Sequence, residues 1–268
     1  MRERIRLDTL LVDRGLFESR SRAAAAVMAG EVSLGSDGAR ASKPGMLVSH
    51  DVAITVAERP RFVSRGGLKL ERALECFDMP VEGRRCLDVG ASTGGFTDCL
   101  LRCGAAHVTC VDVGYGELDW RLREDARVTV LERLNARTLQ RAVLPYAPDL
   151  IVIDVSFISL AKVLPAVAAV APPRVDLLAL VKPQFELGKG RVGKGGVVRN
   201  SEDRIEALVV AGEAARGAGL NVQGYCSSGL PGPAGNRESF MWCTEGARAG
   251  VEDLITAAGG TELEVATS

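Results

Sequence analysis

Aromatic side chains are scarce in this sequence: two Trp, three Tyr and seven Phe make up 4% of 268 residues. That scarcity argues against the rows of stacked rings that grip unstructured single-stranded nucleic acid. Histidine is scarcer still, with only His50 and His107. The seven cysteines form no C-x-x-C pair, so no metal site is expected. Cys86, Cys110 and Cys243 lie inside apolar runs and read as reduced core residues of a cytoplasmic protein. Long apolar runs are missing too. The most apolar stretch, 150–171, is broken by Asp154, Lys162 and Pro165, short of the ~20 apolar residues a membrane span needs. Arg2, Glu3, Arg4 and Arg6 stand where a leader would be apolar, so no membrane partner is expected. Net charge is also nearly absent, 33 basic against 34 acidic, and names no partner.

What is present is an ordinary globular composition, 47% apolar and 25% charged. The charge is unevenly placed, with an arginine-rich front (Arg4, Arg6, Arg14, Arg20, Arg22) and an acidic tail after Glu245. In the front, Leu7, Leu10 and Leu11 mark a short helix closed by Arg14-Gly15. Ser19 N-caps a second helix with Ala23, Ala26 and Val27 inward, ending at Gly30. Val32, Leu34 and the alternation Val52–Val56 predict strands, giving two helices on a small sheet. Residues around Pro60 break the pattern. The expected division is a domain over 1–59, a linker over 60–63 and a second domain over 64–268.

From Val63 onward, apolar strands alternate with helices. Strands are expected at Arg85–Val89, His107–Val113, Val128–Glu132, Leu150–Val155, Leu177–Val181, Val222–Ser227 and Ser239–Thr244, with a helix at Ser201–Gly217. Near-continuous apolar strands separated by helices imply a parallel sheet covered on both faces. The last connection, Gly229–Gly235, holds no helix and predicts an antiparallel final hairpin.

The segment Asp88-Val-Gly90-Ala91-Ser92-Thr-Gly94-Gly95-Phe96-Thr97 reads as strand, glycine turn and helix start, a place where backbone approaches a ligand closely. Asp112 follows 24 residues after Asp88, at the tip of the next strand before Val113, and is placed to bind ribose hydroxyls. Three alternatives fail on their own chemistry. Gly90-Ala-Ser92-Thr-Gly94 matches a nucleophile elbow, but no histidine follows His107 to act as base. The loop Gly188–Gly195 lacks the Ser/Thr of a phosphate-binding loop and follows the fifth strand. The turn also lacks the G-x-G-x-x-G spacing of dinucleotide enzymes. S-adenosylmethionine remains, with its methionine end on the glycine turn, ribose at Asp112 and adenine near Asn135.

Reactive groups gather at the carboxyl ends of strands in such sheets. Asp154 ends the fourth strand, Lys182 the fifth, and Glu238 opens the last; Lys69 precedes the first. A Lys–Asp–Lys–Glu set suits methyl transfer to a ribose hydroxyl, with Lys182 as the base and the acids orienting the lysines. The chain has Asp154-Val-Ser-Phe157 where amine methylases carry [DN]-P-P-[YF], and no Pro-Cys dipeptide for attack on a cytosine ring. Oxygen methylation fits best.

Together, Val63-Ser-Arg65-Gly-Gly-Leu-Lys69-Leu, the 87–97 segment, Asp112–Gly116, Asp154–Leu160, Val181–Glu186 and Gly232–Asn236 resemble the TlyA family nearly end to end. The front resembles the small α+β RNA-binding domain named after ribosomal protein S-four. The resemblance implies an α/β, Rossmann-like class I methyltransferase domain of FtsJ type, with its K-D-K-E set on Lys69, Asp154, Lys182 and Glu238. It implies methylation of cytidine ribose in rRNA of the 30S or 50S subunit, or both, a modification linked to sensitivity to capreomycin-type antibiotics. Arg4, Arg6, Arg14, Ser19, Arg20, Arg22, Lys43, Arg65 and Lys189 are the expected RNA contacts, giving salt-dependent positioning on folded RNA. A monomer is expected. A non-catalytic ribosome assembly factor is the alternative; a cytolysin, as the family's hemolysin name would have it, lacks an amphipathic or spanning segment.

Overall fold

The computed structural model describes residues 4–57, 60–193, 195–245 and 248–266, without the side chains of Lys189 and residues 263–266. Contacts divide the chain into two compact units, Met1–Pro60 and Arg61–Ser268.

The first unit runs β1 (Arg4–Arg6), α1 (Leu7–Asp13), α2 (Arg20–Met28), β2 (Val32–Leu34), β3 (Ala39–Arg40), β4 (Leu47–Ser49) and β5 (Ile54–Val56). Leu7, Leu10 and Leu11 of α1 meet Ala23, Ala26 and Val27 of α2 over Val32, all buried. Ser19 caps α2 as expected, its hydroxyl accepting from the Arg22 amide. Instead of one small sheet there are two, β1 paired with β4 and β2 flanked by β3 and β5. β1, β3 and β4 are two or three residues long and, unlike β5, lie in no longer alternating run, so periodicity did not mark them.

The second unit runs α3 (Gly66–Cys76), β6 (Arg85–Val89), α4 (Gly95–Arg102), β7 (His107–Val111), α5 (Trp120–Arg123), β8 (Val128–Leu131), β9 (Leu150–Ile153), α6 (Leu164–Val170), β10 (Asp176–Val181), α7 (Pro183–Glu186), α8 (Ser201–Gly217), β11 (Asn221–Ser227), β12 (Ser239–Thr244) and α9 (Leu254–Ala266). Its sheet has the order β11-β12-β10-β9-β6-β7-β8, parallel except for β12. Side chains alternate between two cores. Leu87, Ile151, Ile153, Leu177 and Ala179 face the side packed by α6, α8 and α9. Cys86, Leu150, Val152, Leu178 and Leu180 face the side covered by α3 and α4.

The residues expected to form a linker end differently. Phe62 is only 4% exposed, with the Arg61 and Arg102 guanidiniums each 5.5 Å from its ring centre. A Cβ on Gly67 would lie 2.3 Å from that ring, so glycine there lets α3 start against it. The Val63 amide donates to Asp98 at 2.9 Å. Residues 61–63 therefore belong to the second unit.

Candidate active site

The topology gathers charge at one edge of the sheet. Asp154 follows β9 directly and Lys182 follows β10. Because β12 runs antiparallel, with Ser239 opposite Val181, the residue just before it arrives at that same edge. Glu238 is therefore beside Lys182's strand end, although 56 residues separate them. Lys69 comes in from α3.

Two ion pairs result. Lys182 Nζ lies 2.6 Å from Asp154 Oδ1 and donates to Ser156 Oγ at 2.8 Å. Lys69 Nζ lies 2.5 Å from Glu238 Oε2, both side chains at most 9% exposed. Removing either partner of that second pair would leave a buried charge uncompensated. Gly232 has no room for a Cβ, which would meet Glu238 Oε1 at 2.3 Å, so the 229–235 loop closes tightly over this acid.

A cleft with two adjoining lobes lies over these groups. The first, of about 540 Å³, is lined by all four charged residues and by Arg65, Ala91, Gly95, Phe96, Pro231 and Pro233, among others. The second, of about 490 Å³, is lined by Asp112, Val113, Glu117, Asn135 and Arg137, among others. Gly90, Ser92, Asp154 and Ser156 line both. Gly90 is required at the junction: its φ is +88° and a Cβ would meet the Asp154 carbonyl at 2.3 Å.

Asp112 is fixed by the amides of Ser92 (2.8 Å) and Gly114 (2.7 Å), one on each oxygen. An ionised carboxylate has about four acceptor positions, so capacity remains for two hydroxyls. Asn135 Oδ1 accepts from the Arg137 amide at 3.0 Å. Three residues expected to touch the cofactor do not line either lobe. Asp88 is fully buried beneath the glycine turn, where it accepts from Thr97 Oγ1 at 2.7 Å. Thr97 also contacts Cys110 Sγ at 3.0 Å, and Gly94 serves as the left-handed N-cap of α4. Burial pushes the Asp88 carboxyl up to about 7 against the opposing Thr97 bond. Its position follows from strand alternation, which sends it to the α4 face while the lobes lie at the strand's end.

Sequence reasoning missed Ser156 and Glu117. Ser156 stood in plain view two residues after Asp154, where a hydroxyl can reach the next strand end. Glu117 carried no signal; Ser92 Oγ donates to it at 3.2 Å. Beyond Asp154 the chain is anchored by Glu186 of α7, which accepts from Ser159 Oγ and the Leu160 amide at 2.7 and 2.9 Å. Burial raises its pKa.

The expected RNA contacts fare unequally. Arg65 donates to the Pro231 carbonyl at 2.7 Å and lines the first lobe. In the first unit, Arg14 donates to the carbonyls of His50 and Val52 at 2.7 and 2.8 Å, a structural task. Arg6 and Arg20 both hold Asp8, at 2.7 and 3.2 Å, and Arg22 pairs with Glu18 at 2.7 Å. Arg4 and Lys43 are exposed. Lys189 sits in a short 3-10 turn with its side chain outside the described residues.

A seven-stranded sheet of this order, with a glycine turn, a carboxylate after the second strand and lysine–acid pairs at the strand ends, defines a methyltransferase of FtsJ-like type. The family profile of FtsJ-like methyltransferases matches residues 62–245. The 16S/23S rRNA (cytidine-2′-O)-methyltransferase TlyA of Mycobacterium tuberculosis is 50% identical over 263 residues, 95% of this chain and 97% of its own. Hemolysin A of Brachyspira hyodysenteriae is 40% identical over 76% of this chain and 85% of its own. A solved structure from Streptococcus thermophilus that carries a provisional hemolysin name matches with a TM-score of 0.74 and 37% identity, covering 100% of this chain and 98% of its own. The chain belongs to the TlyA family.

Proposed function

We propose that the protein transfers methyl from S-adenosylmethionine to the 2′-oxygen of cytidine in rRNA, working in the cytoplasm. The observation that carries this reading is the convergence of Lys182–Asp154 and Lys69–Glu238 on one lobe beside a second lobe that presents Asp112. The second lobe fits the cofactor: a twice-anchored carboxylate for ribose, Asn135 for adenine and a glycine turn that admits close approach. When bound, S-adenosylmethionine supplies an electrophilic sulfonium methyl that needs no activation.

The chain's own residues then have a limited task. Lys182 must first give up the ammonium proton of its pair with Asp154; the amine then takes the 2′-hydroxyl proton while the oxygen–methyl bond forms and the sulfur–methyl bond breaks. Asp154, 2.6 Å away, faces the resulting ammonium. Ser156 holds the amine's direction, and Glu238 holds Lys69 against the acceptor lobe. The first unit, with Arg4, Arg20 and Arg22 outward, supplies phosphate contacts that position the RNA. Hemolysis by membrane insertion finds no support: among the described residues no helix is long and apolar enough to cross a membrane.

The test is transfer of labelled methyl from S-adenosylmethionine to unmodified 30S and 50S subunits, wild type beside Lys182→Ala. Wild-type label should sit on a cytidine ribose and block 2′-dependent cleavage. Lys182→Ala should lose about 10²–10⁴-fold in rate while binding S-adenosylhomocysteine normally. Intact RNA binding with no transfer to either subunit would favour an assembly factor instead.

A further inference from the structure

Outside the two-lobed cleft, a separate hollow of about 360 Å³ is lined by Val197, Val198, Arg199, Arg204, Gly235 and Arg237. Three guanidiniums on one hollow repel each other unless an anion joins them. Only one is neutralised: Arg204, 8% exposed, is paired with Glu262 of α9 through Nε (2.9 Å) and Nη2 (2.5 Å). Its remaining nitrogen, Nη1, donates to the Arg199 carbonyl at 2.7 Å and fixes that backbone. Arg199 and Arg237 are exposed, and neither guanidinium has an acidic partner among the described residues.

The hollow is built, not incidental. Asn236, 1% exposed, accepts from the Val198 amide at 2.8 Å and donates to the Gly196 carbonyl at 2.8 Å. It thus ties Gly196 and Val198 to the 229–237 segment. That segment has two sides. Pro231, Pro233 and Glu238 line the acceptor lobe, whereas Gly235 and Arg237 line the hollow. Arg237 is exposed, whereas its neighbour Glu238 is 2% exposed and faces Lys69. An anion at Arg237 therefore sits just across a single chain segment from the acceptor position.

We propose that Arg199 and Arg237 form a phosphodiester-binding subsite for the RNA strand that carries the acceptor ribose. Paired guanidiniums match phosphate oxygens in geometry and charge, and their spacing from the acceptor lobe would fix the strand's register. The proposal rests on the methyl-transfer reading for its substrate but not for its chemistry.

The test uses the full chain with Arg199→Gln/Arg237→Gln, against Arg174→Gln, an exposed arginine at the opposite, amino end of β10. With unmodified 30S and 50S subunits, the double variant should raise the RNA KM about tenfold, leave kcat within about twofold, and leave S-adenosylhomocysteine affinity unchanged. The slope of log affinity against log salt should fall by about 1–2. Independently of activity, the subunits should protect Arg199 and Arg237 of the wild type from phenylglyoxal. Protection without any wild-type methyl transfer would overturn the methyl-transfer reading and leave the subsite standing. A double variant indistinguishable from Arg174→Gln, or arginines modified equally with and without RNA, would overturn the subsite.

Discussion

The two units handle charge in opposite ways. In the first, Arg6, Arg20 and Arg22 are each at least half-exposed where they meet an acid: Arg6 and Arg20 cover Asp8, and Arg22 reaches Glu18. In the second, the charges that matter go inside: Lys69 with Glu238, and Asp88 with no cationic partner among the described residues. A surface arginine can exchange an internal acid for a phosphate at small cost, which suits salt-dependent docking. A buried lysine–acid pair cannot be rearranged cheaply, which suits holding an acceptor atom still.

The sharpest way to break this contrast is Glu238→Gln. It should destabilise the second unit by about 3–5 kcal/mol, because it leaves the buried Lys69 ammonium without its acid; denaturant unfolding followed by tryptophan fluorescence measures it. Asp154→Asn, whose pair is partly open to solvent, should cost much less. Equal losses from the two would mean that burial is not what distinguishes the pairs.

Two buried acids, Asp8 in the first unit and Asp88 in the second, should also answer pH with opposite signs. Asp88 titrates near 7 in the folded protein and at ~3.9 when unfolded. Between those values the unfolded chain binds fewer protons at this group, so Asp88 takes stability from the second unit as pH rises, by at most ~1.4 kcal/mol per pH unit. Asp88→Asn should flatten that slope. In the first unit, hydrogen bonding to Arg6 holds the Asp8 carboxyl well below the usual carboxylate range against the cost of burial, and Arg20 assists. Its contribution is present above the unfolded value and disappears as pH falls through the folded one. Hydrogen exchange resolved by unit, between pH 2 and 8, reads both slopes, the Asp8 one below pH 4.

The smallest stability effect belongs to Arg22→Gln, which removes an exposed i,i+4 pair worth ~0.3–0.5 kcal/mol. If Arg22 trades Glu18 for phosphate, the same change should lower the salt slope of rRNA binding by about one. Titrating wild type and variant against 30S and 50S subunits at several salt concentrations checks it. A variant with unchanged slope would assign Arg22 to the helix surface alone.

Strands β6 and β12 and helix α8 were legible to the residue, since continuous apolar runs bounded by glycine or polar turns leave one register. The antiparallel end of the sheet was legible too, from a glycine- and proline-rich loop without a helix. Asp112, Asp154 and Lys182 were legible as cleft residues because each directly follows an apolar strand. Arg14 was misread, since nothing in a local pattern tells an arginine bound to carbonyls 36 and 38 residues away from one free for phosphate. Asp88 was misread for a related reason: its strand was clear, but which face its side chain takes depends on what packs there.

The sequence alone therefore determined the strands of the large sheet, the class of fold and the kinds of side chain available at the strand ends, because hydrophobic periodicity and turn residues act over a few positions. Only the tertiary structure decided the partners. Lys69 meets Glu238 across 169 residues, Asn236 holds Val198 across 38, and Asp88 lies under the turn. Such pairings depend on the antiparallel insertion of β12 and on which face each strand turns to each helix layer. Those are properties of packing, and no local run of residues encodes them.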